Sequence, residues 1–299
     1  MENIITTMDL GSNSFRTLKF DTKNLKSLGE YEKVVGTADG LANTGNISEE
    51  ALRRVVTAIK ESINLLEFDP IKTIAVTTQA MRVAKNNAYI LEQIEKQTGV
   101  KFNIIEGHKE AELTLLAMQY ALKREKLASD RFILLDIGGG SSELIIFDNG
   151  EKKIKSFSFG IVTLTQSKNK SSDMQDFEEQ ILEFISSLDL KDFSFVSTAG
   201  TPTTIAAVKH GLDHDDYDKH IVNGTKLYFE DLVSLQKEFQ SLSKDDLIIK
   251  VGAGRDEYID MGVEIFKLFY KTLNKTHSIV FDDGLREGVA IEYCVANRN

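Results

Sequence analysis

The sequence predicts an α/β protein built from two lobes of similar design. Short β-rich runs alternate with helical patterns along the chain, which is typical of an α/β fold. A strand followed by an aspartate, a glycine turn and a second strand occurs once in each half. A chain of 299 residues is also long enough for two domains that each bury a core of their own.

The first half opens with strands and continues with helices. We expect strands at residues 4–8, 15–20 and 31–35, around the first glycine turn. Ser48, which two glutamates follow, predicts the start of a helix whose far boundary is Pro70. Further elements are predicted as strands at 71–77 and 102–105 and as helices at 87–97 and 110–123.

The second half repeats this opening and then becomes richer in helices. An apolar strand at 132–135 precedes the second glycine turn, and a strand at 143–147 follows it. The sequence Asp-Asn-Gly at 148–150 is typical of a hairpin turn into a strand at 152–159. The remaining elements are predicted as helices at 174–187, 203–209, 230–240 and 256–273, a strand at 278–281 and a last helix at 285–296.

The polar segment at residues 125–130 is the predicted boundary between the lobes. The N-terminal lobe then covers residues 1–124 and the C-terminal lobe residues 125–299. The last helix is predicted to pack back on the first lobe.

Composition excludes several classes of function. The formal net charge of −10 argues against nonspecific nucleic-acid binding. No apolar run is long enough to span a membrane, and the start of the chain lacks the features of a secretory signal. The single cysteine, Cys294, cannot form an internal disulfide, which is consistent with the reducing cytoplasm that we expect for this protein. The five histidines match no zinc-binding spacing.

The duplicated glycine turn is the most informative feature of the sequence. Aligning Asp9 with Asp136 also aligns Gly11 with Gly138. Glycines let backbone amides converge on a phosphate without interference from Cβ atoms, whereas two ordinary tight hairpins are the alternative. The aspartate at the same place in both turns favours phosphate binding. The predicted phosphate-binding residues are Asp9, Gly11, Ser12, Asn13, Ser14, Gly138, Gly139, Gly140 and Ser141.

Together with further segments, these turns resemble the Ppx/GppA family of exopolyphosphatases and guanosine pentaphosphate phosphatases, within the actin and sugar-kinase superfamily. The similar segments are MDLGSNSFR (8–16), TTQAMRVAKN (77–86), IIEGHKEAEL (104–113), LDIGGGSSEL (135–144), STAGTPTTIAA (197–207) and DDGLREGV (282–289). The resemblance implies two actin-like (ribonuclease H-like) lobes with a cleft between them.

The resemblance also implies catalytic roles for two glutamates. Glu110 lies at the position of a general base for the attacking water, and Glu143 at the position of a residue that binds a metal or orients water. The residues alone allow other interpretations, because Glu110 also suits a helix N-terminus and Glu143 also suits a solvent-facing strand position. Lys109 and Glu112 depart from the family pattern, which leaves the charge around Glu110 open.

A divalent cation and several substrate contacts are implied in the same way. Asp136 and Glu143 are the expected ligands of Mg²⁺ or another divalent cation, for which one or two carboxylates suffice. Arg16 and Arg82 lie at family positions for phosphate contact, with surface salt bridges as the alternative. The other expected substrate-binding residues are Gly200, Thr201 and Arg286. For Gly200 and Thr201 the alternative is a plain helix N-cap. For Arg286 it is a contact that ties the last helix to a lobe.

These assignments predict a phosphohydrolase that releases terminal phosphate from polyphosphate, guanosine pentaphosphate (pppGpp) or both, with a role in the stringent response. Glu110 activates a water for metal-assisted in-line attack in this hypothesis. The alternatives are an ATP-dependent kinase of the actin-like fold and a non-catalytic sensor of polyphosphate or (p)ppGpp. The resemblance is compatible with a homodimer, and we expect no counterpart of the helical C-terminal domain that longer family members carry.

Overall fold

The computed structural model describes residues 3–297, which form an α/β chain with two β-sheets. This confirms the predicted α/β class. The outermost residues of the two predicted domains, at 1, 2, 298 and 299, lie outside the described residues.

The strands and helices follow one another in two runs that both open with a pair of antiparallel strands. The first run is β1 (Ile4–Leu10), β2 (Ser14–Asp21), β3 (Lys26–Val34), α1 (Leu41–Thr44), α2 (Glu49–Leu66), β4 (Ile74–Thr77), α3 (Gln79–Val83), α4 (Asn87–Thr98), β5 (Phe102–Ile104) and α5 (Gly107–Arg124). The second run is β6 (Arg131–Ile137), β7 (Ser142–Asp148), β8 (Glu151–Phe157), α6 (Ile161–Gln166), α7 (Lys170–Ile185), β9 (Ser194–Thr198), α8 (Gly200–Lys209), α9 (Lys219–Val222), β10 (Thr225–Tyr228), α10 (Phe229–Ser241), α11 (Lys244–Val251), α12 (Ile259–Thr272), β11 (His277–Val280) and α13 (Leu285–Ala296). Short 3₁₀ turns lie at Pro70–Lys72 and His214–Asp216.

The two sheets share one design. The first has the order β3-β2-β1-β4-β5, with β1, β2 and β3 antiparallel and β4 and β5 parallel to β1. The second has the order β10-β11-β9-β6-β7-β8, with β6, β7 and β8 antiparallel and β9 and β11 parallel to β6. The strand β10 adds an antiparallel edge to the second sheet.

The chain divides into two units that each hold one sheet. The first unit runs to Ala117 and resumes at Asp283, and the second is Met118–Asp282. The division therefore falls inside α5, before the boundary expected at residue 125. The polar segment at 125–130 follows the end of α5 at Arg124, as the sequence predicts.

The helix α13 lies in the first unit, against β1 and α5. The hydroxyl of Thr7 donates to the carbonyl of Arg286 at 2.9 Å. A Cβ atom on Gly288 would lie 2.0 Å from the carbonyl oxygen of Leu113, so the backbones of α13 and α5 touch at this glycine. The side chains of Leu285 and Val289 pack in one buried cluster with Leu113.

Local signals account for the helix starts that were predicted. Ser48 caps α2 by accepting a hydrogen bond from the amide of Ala51 at 3.1 Å, and Glu49 and Glu50 occupy the first turn. Of the residues that the structure describes, none belongs to a helix long and apolar enough to cross a membrane.

Several short elements differ from the prediction. Five short helices and one strand were not expected, because each is too short to show a clear hydrophobic period: α1, α3, α6, α9, α11 and β10. The strand expected at 71–77 begins only at Ile74, since Asp69 caps a 3₁₀ turn at Pro70–Lys72. The helix expected from Glu110 begins at Gly107.

Candidate active site

The first glycine turn, from Gly11 to Ser14, joins β1 to β2 and is called loop 1. The amide of Gly11 donates to the carbonyl of Ser14 at 2.9 Å and closes the turn. The carbonyls of the central residues, Ser12 and Asn13, accept hydrogen bonds from amides of residues 35–39, which we call the covering segment. The carbonyls of Ser12 and Asn13 are therefore bonded inside the protein.

The second glycine turn, from Gly138 to Ser141, joins β6 to β7 and is called loop 2. The amide of Gly138 donates to the carbonyl of Ser141, again at 2.9 Å. The carbonyls of Gly138 and Gly139 accept from the amides of Ile161 and Val162 at 3.1 and 2.8 Å. Loop 2 thus repeats the hairpin of loop 1, but the start of α6 takes the place of the covering segment.

Gly160, just before α6, lies directly against loop 2. A Cβ atom at this position would come within 2.6 Å of the carbonyl group of Gly139 and of the amide nitrogen of Ser141. The amide of Gly160 donates to the hydroxyl of Thr163 at 2.8 Å, which fixes the approach. Only glycine fits this backbone-to-backbone contact.

Both loops contain amides without a protein acceptor. Within residues 3–297, the amides of Ser12, Asn13, Gly139 and Gly140 donate to no protein acceptor. The carbonyls of Ser12, Asn13, Gly138 and Gly139 are bonded within the protein, whereas these four amides are not. Successive amides in a tight turn make a concave site for an anion. Each loop is therefore chemically suited to a phosphate.

A row of three charged residues crosses the first sheet beside loop 1. Asp9 pairs with Arg16 on β2, and Arg16 pairs with Glu32 on β3. Residues opposite each other on antiparallel strands project to the same face, so these three side chains share one face. The guanidinium of Arg16 also contacts the Glu32 carboxylate at 3.3 Å. The predicted residues Asp9 and Arg16 are thus brought together.

The corresponding row in the second sheet is acidic. Asp136 pairs with Glu143 on β7, and Glu143 pairs with Ser156 on β8. The hydroxyl of Ser156 donates to a Glu143 carboxylate oxygen at 2.7 Å, and Glu143 is only 1% exposed. Since Glu143 occupies the place that Arg16 has in the first sheet, two carboxylates stand side by side here.

The carboxylates of Asp136 and Glu143 fit a hard divalent cation that takes few of its ligands from the protein. Within the described part of the chain, no cluster of three or more His, Cys, Asp or Glu side chains could hold a metal. Mg²⁺ usually takes one or two protein carboxylates and completes its shell with water and phosphate oxygens. Asp136 and Glu143 match that requirement, and their role as ligands stays a prediction.

Glu110, in the first turn of α5, is held by an arginine. One guanidinium nitrogen of Arg82 lies 3.0 Å from a Glu110 carboxylate oxygen and donates to the carbonyl of Ile105 at 2.6 Å. A second nitrogen of Arg82 donates to the side chain of Gln79 at 3.0 Å. Both charged side chains are largely buried, at 11% and 13% exposure. The pair fixes the orientation of the Glu110 carboxylate.

The two residues that depart from the family pattern have partners of their own. The ammonium of Lys109 contacts the carboxylate of Glu292 on α13. Glu112 lies 3.8 Å from the ring of His108, one helical turn away. The charge of Lys109 is therefore used in holding α13 against α5.

Gly200 and Thr201 open α8 in the second unit. Thr201 is buried, and a Cβ atom on Gly262 would lie 2.2 Å from its hydroxyl oxygen, so this side chain packs against α12. The preceding residue, Ala199, has φ 76° and ψ −177°, a conformation that is essentially restricted to glycine. Its strain lies at the start of α8, for which substrate binding stays a prediction.

Arg286, on α13, is buried within the first unit. Its guanidinium donates to Glu30 at 2.9 Å and to Glu287 at 2.7 Å. The ion pair with Glu30, on β3, ties α13 to the first sheet, and a substrate contact by Arg286 stays a prediction.

The structure joins the predicted residues into local groups and adds neighbours that the sequence did not single out. The groups are loop 1 with Asp9 and Arg16, the Arg82–Glu110 pair, and loop 2 with Asp136 and Glu143. That these groups meet one substrate stays a prediction. The added neighbours are Ser156, Gly160, Ala199 and the covering segment. Of these, only Gly160 carries a local signal, as a glycine between a strand and an apolar run.

Known proteins resemble this chain over nearly its whole length. The model of the Ppx/GppA phosphatase family matches residues 19–295. A bifunctional 3-dehydroquinate synthase/phosphatase of Fusobacterium nucleatum is 26% identical over 309 residues, which cover 95% of this chain and 46% of that protein. A guanosine-5'-triphosphate,3'-diphosphate pyrophosphatase of Aliivibrio fischeri is 24% identical over 293 residues, which cover 94% and 57%. The crystal structure of an Aquifex aeolicus member of the Ppx/GppA family has 25% identity and a TM-score of 0.74, and the match covers 99% of both chains.

Two α/β units that each begin with a glycine hairpin define an actin-like, two-lobed protein. The chain belongs to the Ppx/GppA phosphatase family. The chain spans about half the length of the curated relatives it matches.

Proposed function

We propose that this chain is a phosphohydrolase that removes the terminal phosphate from polyphosphate, guanosine pentaphosphate or both. The observation that carries the proposal is the repeated hairpin, in which two loops have the same closing hydrogen bond and the same kind of available amides. A linear chain of phosphates presents the repeated anionic groups that two such loops could bind. Membership of a phosphatase family supports hydrolysis as the reaction.

The amides of loops 1 and 2 bind phosphate oxygens in this proposal. The protein has a formal net charge of −10 and its proposed substrate is a polyanion. Backbone amides let it bind phosphate oxygens without many cationic side chains. Asp136 and Glu143 would hold Mg²⁺ or another divalent cation, which would supply positive charge to offset the negative charge of the phosphates. That both loops meet the same substrate is part of the proposal.

Glu110 is the general base in the proposed reaction. It accepts a proton from the water that attacks the terminal phosphorus in line with the bond to the leaving oxygen. The guanidinium of Arg82, at 3.0 Å, orients the Glu110 carboxylate before the proton is transferred. Most of the acceleration comes from positioning and charge neutralisation, because phosphoryl transfer needs little covalent help.

The decisive test is Glu110→Gln, which keeps the size of the side chain and can still accept a bond from Arg82. We expect phosphate release to fall about 10³-fold, since a positioned base contributes about 10²- to 10⁴-fold. Release is measured with Mg²⁺ on polyphosphate and on pppGpp side by side, which also determines substrate preference. Glu106→Gln is the matched control, because Glu106 is an exposed carboxylate just before the same helix.

Two outcomes would reject parts of this proposal. Near-normal turnover by a folded Glu110→Gln protein would remove Glu110 as the base. Wild-type protein that phosphorylates an added acceptor from ATP without releasing phosphate would favour the kinase, and tight binding of pppGpp without hydrolysis would favour the sensor.

A further inference from the structure

We propose that Arg54, on α2, is a positioning residue that holds loop 1 in its phosphate-binding shape and thereby sets the affinity for substrate. The proposal rests on the proposed function of loop 1 as a phosphate site. It assigns no chemical step to Arg54, which acts through the covering segment, residues 35–39.

The guanidinium of Arg54 binds the covering segment at three points. Its Nε donates to the carbonyl of Val35 at 2.7 Å, and one Nη donates to the carbonyl of Gly36 at 3.0 Å. The same Nη donates to the carboxylate of Asp39 at 2.6 Å. A planar fork that binds two successive carbonyls and a carboxylate restrains both position and orientation of this segment.

The covering segment passes this restraint directly to loop 1. The amides of Val35 and Gly36 donate to the carbonyl of Asn13 at 2.8 and 2.9 Å, and the amide of Ala38 donates to the carbonyl of Ser12 at 2.9 Å. Val35 and Gly36 therefore accept from Arg54 on one side and donate to loop 1 on the other. The carbonyl and the amide of the same residue thus connect the Arg54 guanidinium to loop 1.

Gly36 makes this arrangement possible. Its φ is 55°, in the left-handed region that favours glycine, and a Cβ atom would lie 2.2 Å from a carboxylate oxygen of Asp39. The Asp39 side chain thus folds back over Gly36 to meet Arg54. The covering segment therefore connects α2 to loop 1 through hydrogen bonds. A surface turn that only joined β3 to α1 would not need these bonds.

Loss of Arg54 leaves loop 1 to be ordered by the substrate itself. A ligand that must order its own site binds more weakly, because part of the interaction energy is used to fix the loop. Glu110, the proposed base, makes no contact with Arg54 among the described side chains. We therefore expect KM to rise more than kcat falls.

The test combines kinetics with hydrogen exchange on the full chain in three variants. In Arg54→Gln, we expect KM for polyphosphate or pppGpp to rise about tenfold with kcat within about threefold of wild type. Exchange of the backbone amides around Val35, Gly36 and Ala38 should accelerate in the substrate-free protein. Arg54→Lys should give an intermediate KM, because an ammonium lacks the planar fork. The control is Arg53→Gln, which removes the same charge from an exposed position one residue earlier.

Each outcome decides the proposal. Faster exchange with a raised KM supports it, and unchanged exchange in Arg54→Gln overturns it whatever the activity. Faster exchange with an unchanged KM also overturns it, because loop 1 would then not set substrate affinity. Wild-type protein that releases no phosphate from either substrate defeats the proposed function, whereas the exchange result still decides whether Arg54 holds loop 1. If Arg54→Gln does not fold, Arg54→Lys and Asp39→Asn provide the same two measurements.

Discussion

Loops 1 and 2 have the same hairpin but are held in place by different means. In both, the first glycine donates to the carbonyl of the last serine at 2.9 Å. Loop 2 is braced by backbone alone, since Gly160 and the first amides of α6 touch it directly. Loop 1 is braced through the covering segment, which in turn depends on the side chain of Arg54.

This difference implies that the same hairpin can tolerate substitutions to a different degree in the two loops. A backbone-to-backbone contact cannot rotate away from an added atom, so loop 2 should be rigid and sensitive to any Cβ. A contact made through a long side chain, such as that of Arg54, can adjust to a substitution by rotating its side-chain bonds. The polar rows beside the loops also differ in charge, because the first contains Arg16 where the second has Glu143. The proposed cation is therefore assigned to the acidic row beside loop 2.

The largest effect on stability is expected from Gly160→Ala. The new Cβ would lie 2.6 Å from backbone atoms of Gly139 and Ser141, none of which can turn aside. We expect a loss of about 3 kcal/mol in the free energy of unfolding, at the upper end of the usual cost of overpacking. Urea denaturation of the variant measures this loss. Ser158→Ala, an exposed change two residues earlier, should leave the unfolding free energy unchanged. An equal result for both variants would show that loop 2 is not braced at Gly160.

An intermediate effect is expected when the first glycine of each loop is compared. A Cβ atom on Gly138 would lie 2.8 Å from the carbonyl oxygen of Ser141, whereas one on Gly11 would lie 3.4 Å from that of Ser14. Gly138→Ala should therefore cost about 1–2 kcal/mol. Gly11→Ala should change stability by less than about 0.5 kcal/mol, because the contact is ordinary and the unfolded chain loses entropy. Thermal unfolding of the two variants under one set of conditions gives the difference. Equal costs would mean that the loops are equally tight.

The smallest effect is expected from Ala199→Gly, beside the second sheet. Ala199 has a backbone conformation that costs a residue other than glycine about 1–3 kcal/mol. Glycine relieves this strain but loses more entropy on folding, by about 0.5–1 kcal/mol, so we expect a net gain of about 1 kcal/mol. Ala253→Gly is the control, because its φ is not positive and only the entropic loss applies. Stability measured by urea denaturation should rise in the first variant and fall slightly in the second. A fall in both would show that Ala199 is not strained.

Much of the local architecture could be predicted from neighbouring residues. The apolar strands on either side of each glycine turn and the Ser48 cap of α2 are patterns of a few adjacent residues, and the structure contains them. Short elements such as α6 and β10 were missed, because four to six residues carry no readable period. The partners of the predicted site residues were missed for a different reason. Ser156 and Arg54 reach the site through register and tertiary contact, which one sequence does not reveal.

The amino-acid sequence by itself determined the α/β class, the two glycine hairpins with their aspartates, and the family to which the chain belongs. These features depend on residue types that are adjacent along the chain. Only the tertiary structure decided what holds each hairpin, which carboxylates stand in one row, and that Arg82 holds Glu110. The physical reason is that such contacts join residues from separate elements, so they exist only once the strands are in register and the helices are packed against them.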